Sequence, residues 1–313
     1  MSETSAGGET PPRARGDGAT RDVTDDRAVE LTLDVDGREV AALHRPPRTA
    51  PENGGDAPRL LCLHGWLDNA ASFLPLMAHL PGDLDVVAID LPGHGASDHL
   101  EAGYAIDEAS YRARRAMQAL GWERCHLAGH SLGGGIASLL AAAAPGAIES
   151  LILLEASGPL AEEADALPAR LRRALGERLD AGRFASRVFP DIDAAVAARL
   201  RAARMAPASA RLVVERQLVA ADGGWRWRFD PRLRLASSRY LTEAQVRAVL
   251  GAIECPVLTV IATDGFLASR EETEPRLVGL ASRTALTLPG HHHVHMDTPE
   301  PVAAAIARFL DGK

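Results

Sequence analysis

Hydrophobic and polar positions along the chain follow two rhythms, and each predicts a different kind of strand. Val29-Glu30-Leu31-Thr32-Leu33-Asp34-Val35 is apolar at every second position, as in a strand with one covered face. Asp36-Gly37 follows, then Val40-Ala41-Ala42-Leu43, which together predict an antiparallel hairpin. Further along the apolar runs are continuous, at 60–63, 86–89, 125–128, 151–154, 257–261 and 284–288. Strands that are apolar on both faces belong to a mostly parallel sheet covered on both sides. Helical patterns at 70–80, 107–120 and 134–144 separate them, and 46–58, rich in Pro and Gly, reads as a loop.

The residues that end these runs are chemically active or turn-forming. The strands lead in turn to His64-Gly65-Trp66, Asp90-Leu91-Pro92-Gly93-His94-Gly95, Gly129-His130-Ser131, Glu155, Asp264 and Gly290-His291-His292. In open α/β sheets, reactive groups collect at the carboxyl ends of the strands. Residues 157–245 break the rhythm. They are rich in Ala, Arg and Leu and read as several amphipathic helices without a strand, a helical cap inserted over the strand ends. Trp225-Arg226-Trp227-Arg228-Phe229 sits near the end of that stretch. Packing of the cap on the core is preferred there to contact with substrate. The expected division is a tail at 1–27, a core at 28–156, a cap at 157–245 and a second core segment at 246–313.

Composition narrows the function classes. The 313 residues are 46% hydrophobic and 24% charged, enough to bury a large core, and the formal charge of −8 comes with no basic patch interleaved with aromatics. Nucleic acid is therefore not expected as a partner, and no apolar run approaches the roughly 18 residues of a membrane span. Residues 1–27 hold too little apolar content to fold and contain no apolar signal segment, so a disordered tail on a cytoplasmic protein is expected. Cys62, Cys125 and Cys255 are widely spaced and odd in number. They read as small buried hydrophobes rather than a disulfide framework.

The chemistry centres on Gly129-His130-Ser131-Leu132-Gly133, which follows an apolar strand and opens a run of small residues. G-x-S-x-G between a strand and a helix is the pattern of a nucleophile elbow, whose serine stands on a strained turn. The plain alternative is a glycine-rich connector. A serine hydroxyl needs a base, and Pro289-Gly290-His291-His292-His293-Val294-His295 offers four histidines. A metal site there is disfavoured, because no carboxylate or cysteine lies at a recognisable spacing. Thr298-Pro299-Glu300 reads as an N-cap with proline at the first helical position. A tetrahedral intermediate needs backbone donors. The N–H groups of Leu132 and Trp66 are the candidates, with Gly65 letting the backbone approach.

Taken with His64-Gly65-Trp66-Leu67-Asp68-Asn69-Ala70-Ala71-Ser72-Phe73, Asp90-Leu91-Pro92-Gly93-His94-Gly95-Ala96-Ser97 and Gly290-His291-His292-His293-Val294-His295-Met296, these parts resemble the α/β-hydrolase fold family. Within it they resemble the serine-hydrolase-like group related to epoxide hydrolases and haloalkane dehalogenases. The resemblance covers residues from about 29 to 313. It implies an α/β fold with a mostly parallel eight-stranded sheet, helices on both faces and an inserted helical cap. It also implies a triad in the order serine, acid, histidine, with no cofactor and no metal. The family pattern sets the base seven residues before a helix-starting proline, which from Pro299 selects His292. His291 then takes the usual glycine position, and His293 and His295 become supporting residues. Where the nucleophile is Asp, the relatives cleave epoxides or carbon–halogen bonds. Serine here implies acyl transfer to water.

Two acids remain open. In the common pattern the aspartate lies nine residues after a proline, and from Pro256 that count falls on Gly265, one beyond Asp264. Glu155 lies 24 residues after Ser131, an arrangement that some haloalkane dehalogenases resemble. Glu155 is preferred, since its strand-end placement needs no adjustment. Asp90 reads as a turn-fixing carboxylate, and Asp68 and Asn69 as braces of the oxyanion loop. The expected function is a serine carboxylesterase acting on small to medium ester substrates. The alternatives are an acyltransferase or C–C bond hydrolase on the same triad, and a non-catalytic binding protein on the hydrolase scaffold.

Overall fold

The computed structural model describes residues 28–51, 54–180 and 187–312, so the expected tail at 1–27 lies outside the described residues. The alternating segment forms β1 (Val29–Val35), which pairs antiparallel with β2 (Arg38–Arg45). Asp36 and Gly37 turn between them with φ of 54° and 73°, the two positive values of a type I′ turn. The continuous apolar runs become β3 (Arg59–Leu63), β4 (Asp85–Ile89), β5 (Cys125–His130), β6 (Ile148–Leu154), β10 (Val257–Ala262) and β11 (Arg283–Leu288). β7 (Val188–Phe189), β8 (Leu218–Ala221) and β9 (Gly224–Trp227) lie between β6 and β10 in the chain. The main sheet has eight strands in the order β1-β2-β4-β3-β5-β6-β10-β11. From β4 to β11 all pairings are parallel.

Two apolar layers cover the sheet. One joins Leu61, Leu63, Val87, Leu127, Leu151 and Leu153 to α2 (Ile106–Ala119), α3 (Leu132–Ala143) and α7 (Glu243–Gly251). The other joins Leu60, Cys62, Val86, Ile152, Leu258 and Val260 to α1 (Leu74–His79) and α10 (Pro299–Leu310). Alternate residues of each central strand face opposite layers, which is why these strands are apolar throughout. Each fully buried Leu or Ile contributes about 1.5–3 kcal/mol. Cys62 and Cys125 are buried and Cys255 is half-buried, all three as free thiols. Burial pushes the Cys125 thiol up to about 12 and that of Cys255 to about 11. Among the described residues no helix is long and apolar enough to cross a membrane.

The segment between β6 and β10 differs from its expected form. It holds α4 (Leu167–Leu179), α5 (Ile192–Ala202) and α6 (Pro207–Gln217), but also the small antiparallel sheet β7-β9-β8. The expectation of helices alone is corrected. Strand β9 was hidden because Trp225-Arg226-Trp227 alternates over too few residues to stand out. Its rings pack largely within the insert. Trp227 meets Phe189 edge-on at 5.0 Å and stacks on Phe229 at 5.9 Å. The expected boundary at residue 245 falls inside α7, which starts at Glu243 behind a capping box formed by Thr242 and Gln245.

Polar contacts fasten the insert to the loops that leave β3 and β4. Arg216 of α6 donates to Asp90 Oδ2 at 2.9 Å and pairs with Glu30 of β1. Asp90 is fully buried and also accepts from the N–H groups of Ala70, at 2.7 Å, and Ala96, at 2.8 Å. The turn-fixing role expected for Asp90 is what these bonds describe. Asn69 caps the following turn through the Ala71 N–H and sends its amide to Val213 O and Gln217 Oε1. The Arg216→Ala variant leaves a buried carboxylate without its cation, so a loss of about 3 kcal/mol is expected. Urea unfolding followed by circular dichroism measures it.

Candidate active site

Ser131 sits where β5 meets α3, with φ 51° and ψ −114°. A side chain at either flanking glycine is excluded by space. A Cβ on Gly129 would lie 2.4 Å from the Gly133 carbonyl oxygen, and one on Gly133 would lie 2.0 Å from that of Leu63. The strained turn is held from the neighbouring strand, because the Ser131 N–H donates to the Leu154 carbonyl at 3.0 Å. The next residue, Glu155, is strained in the same sense at φ 49°, and its N–H donates to Val260 at 2.8 Å. Two non-glycine residues with positive φ thus stand side by side at adjacent strand ends, the kind of backbone outlier that gathers at functional sites.

Glu155 is buried, and its carboxylate is fully used. Oε1 accepts from the Ala262 N–H at 2.7 Å, and Oε2 accepts from the Leu267 N–H at 3.5 Å and faces His292 Nδ1 at 3.1 Å. Asp264 is exposed, and its carboxylate accepts from its neighbour Thr263 at 3.1 Å. The carboxylate that faces His292 Nδ1 is that of Glu155, and the Asp264 carboxylate meets Thr263 instead. The reason lies at Gly265, the position on which the family count falls. A Cβ there would lie 2.2 Å from Glu155 Oε2, so the Glu155 carboxylate fills the space beside this glycine.

His292 follows β11, and its carbonyl accepts from His130 Nε2 at 2.9 Å. His130 is the residue before Ser131, and its ring centroid lies 4.7 Å from that of His292. The imidazole from the C-terminal loop and the serine from the elbow are thus brought to the same end of the sheet. Leu132 opens α3, and Trp66 lies in the turn closed by the bond from the Asp68 N–H to the Gly65 carbonyl at 3.1 Å. The Trp66 indole is half-exposed and donates to Leu233 of the insert at 3.0 Å. The Thr298 hydroxyl does not cap α10 as expected; it donates to Val294 at 3.1 Å, while Pro299 holds the first helical position.

A set of buried histidines surrounds these groups. His64 donates through Nδ1 to Gly65 O at 2.7 Å and accepts the Leu91 N–H on Nε2 at 2.9 Å. Its tautomer is therefore fixed and neutral, and it ties the β3 loop to the β4 loop. The rings of His293 and His295 lie 5.1 and 4.3 Å from His130. Asp68 accepts from Arg199 of α5 and faces His293 Nε2 at 3.3 Å. Burial works to raise its pKa, but Arg199 and His293 outweigh it and hold the carboxyl well below the ordinary range. Burial pushes down the pKa of His64 and of His130, the latter helped by the neighbouring imidazoles, and takes His94 and His295 to about 3. The roles of His130 and Arg199 escaped the sequence reading. His130 occupies the variable position of G-x-S-x-G, and Arg199 lies in an Arg-rich helix with no local signal to single it out.

The domain model described as the alpha/beta hydrolase fold matches residues 58–275. The chain belongs to the α/β-hydrolase fold family. This hydrolase is 33% identical over 267 residues to a serine hydrolase-like protein of Danio rerio, covering 80% of this chain and 81% of that protein. It is 30% identical over 266 residues to the 2-(acetamidomethylene)succinate hydrolase of Mesorhizobium japonicum, covering 82% and 89%. Among solved structures, a hypothetical protein of Pseudomonas aeruginosa PAO1 superposes with a TM-score of 0.81 at 36% identity, covering 90% of this chain and 98% of that one.

The buried neutral histidines set a pH dependence on the hydrolase. His64, His94, His130 and His295 bind protons more weakly when folded than the ordinary value of 6.5. The unfolded chain therefore takes up more protons as the pH drops below about 6.5. Their stabilising contribution is complete above that pH and is lost as the pH falls toward their lowered folded values, about 3 for His94 and His295. Unfolding free energies from urea titrations are expected to fall by more than about 1 kcal/mol between pH 6.5 and pH 5.

Proposed function

We propose that the protein is a serine hydrolase of carboxylic esters in which Ser131, His292 and Glu155 form the triad. The observation that carries this reading is the 3.1 Å contact of His292 Nδ1 with a buried Glu155 carboxylate, next to a serine on a strained elbow. A carboxylate only accepts, so Nδ1 carries the proton and Nε2 keeps its lone pair. That tautomer allows Nε2 to take the Ser131 proton as the hydroxyl attacks the carbonyl carbon. The imidazolium formed is stabilised by the Glu155 carboxylate, which the Ala262 and Leu267 N–H groups hold in place. The N–H groups of Trp66 and Leu132 then hold the tetrahedral oxyanion. Nε2–H protonates the leaving alkoxide. In the second half, water gives a proton to His292 as its oxygen bonds to the acyl carbon; the bond to Ser131 Oγ then breaks, His292 returns the proton to Oγ, and the acid leaves. The hydrolase and serine hydrolase-like relatives support this chemistry.

The insert acts as the cap over the strand ends in this reading, meeting the oxyanion loop through Arg199, Gln217 and Leu233. A cap rich in Leu and Ala favours small to medium acyl groups, which p-nitrophenyl esters from acetate to octanoate would rank. A fluorophosphonate probe is expected to label Ser131 in the folded protein and to leave Ser131→Ala unlabelled. Glu155→Gln is expected to lower kcat by about 10³–10⁴-fold, while Asp264→Asn leaves it near the wild-type level. The opposite ranking of these two variants would move the acid to the loop after β10.

A further inference from the structure

We propose that Asp68, His130 and His293 form a site for a borderline divalent transition metal such as Zn²⁺, and that filling it inhibits the hydrolase. The three side chains are buried, and their ligand atoms lie within 4.8 Å of one another. Asp68 Oδ2 is 3.3 Å from His293 Nε2 and 3.7 Å from His130 Nδ1. Zinc bonds of about 2.0–2.1 Å in a tetrahedron place neighbouring ligands about 3.3–3.4 Å apart. Two edges of the triangle are thus close to those of one face of such a tetrahedron, and the third lies within 4.8 Å.

The tautomer of His130 points to a cation. Its Nε2 faces the His292 carbonyl at 2.9 Å, and a carbonyl only accepts, so the proton sits on Nε2. Nδ1 is left as a bare lone pair, buried and without a hydrogen-bond partner among the described residues. It faces a carboxylate oxygen, and a metal ion between the two converts that opposition into two bonds. His293 Nδ1 also has no partner among the described residues, so it can take the proton that Nε2 gives up to the metal. Gly65 leaves the position open, because a Cβ there would lie 2.8 Å from His130 Nδ1 and 2.9 Å from Asp68 Oδ2. Arg199 engages Oδ1 and leaves Oδ2 to the two histidines. Its charge opposes a dication, which fits a reversible site rather than a structural one. Two nitrogens and one oxygen suit Zn²⁺ or Co²⁺ and not Mg²⁺.

Inhibition follows from what the ligands hold. His130 supports the His292 carbonyl, and the Asp68 N–H closes the turn that carries Trp66. Drawing both toward a metal displaces the base and an oxyanion donor together. This half of the proposal rests on the proposed hydrolase mechanism; the binding half does not.

The test is equilibrium dialysis of the chelator-treated full-length chain with Zn²⁺, Co²⁺ or Mg²⁺, alongside p-nitrophenyl ester turnover. One Zn²⁺ per chain is expected, displaced by Co²⁺ with a visible ligand-field band, and no Mg²⁺. His293→Gln and Asp68→Asn are each expected to weaken Zn²⁺ at least about tenfold, and His291→Gln to leave binding unchanged. Wild-type turnover should fall in step with occupancy. No binding at millimolar Zn²⁺, or binding that survives both ligand variants and disappears with His291→Gln, overturns the site. Full occupancy with undiminished turnover overturns the inhibition. Absence of turnover in the metal-free chain counts against the esterase reading, and dialysis still decides the site.

Discussion

The bond from the Ser131 N–H to the Leu154 carbonyl is the constraint on which the rest of this end of the molecule depends. It carries the parallel pairing of β5 and β6 one residue past the end of β5, onto the last residue of β6. Both chains must then turn away, so residues 131 and 155 take positive φ together. The hydroxyl and the carboxylate leave adjacent strand ends, and the His292 loop reaches Glu155 with its ring and His130, the neighbour of Ser131, with its carbonyl. Precision comes from rigid strands rather than from long side chains, the economical way to hold reacting groups within a fraction of an ångström.

A second layer of order comes from the insert. Its contacts with the core are concentrated on buried polar groups: Arg216 on Asp90, Arg199 on Asp68, and Val213 and Gln217 on Asn69. Each joins a helix of the insert to a loop at the carboxyl end of β3 or β4. Such pairs add less net stability than an apolar contact of equal area, because desolvation consumes much of the attraction. They do fix orientation, and three of them define how α5 and α6 sit against the loops that leave β3 and β4.

Much of this was legible in the residues. The hairpin, the parallel strands and the elbow follow from period, run length and glycine spacing, which are local signals. Glu155 was preferred over Asp264 by strand-end placement, and the observation that favours it, the space beside Gly265, is visible only in three dimensions. The strands of the insert were missed because β7 has two residues and β8 and β9 four each, too few for a period to emerge. The cluster around His130 was missed for a different reason. Asp68 lies 225 residues from His293, so spacing along the chain could not announce a carboxylate beside the histidine run.

The place of the Glu155 carboxylate just past β6 has a consequence for the end of β10 and the stretch after it. That stretch serves Glu155 only through main-chain N–H groups, from Ala262 and Leu267, which almost any residue can supply. Its side chains take little part in holding that carboxylate: Gly265 leaves it room, and Phe266 packs edge-on against the His292 ring at 5.6 Å. The path of this stretch is constrained while its composition is left open to drift, making it a natural place for new surface properties to be acquired without disturbing the reaction centre.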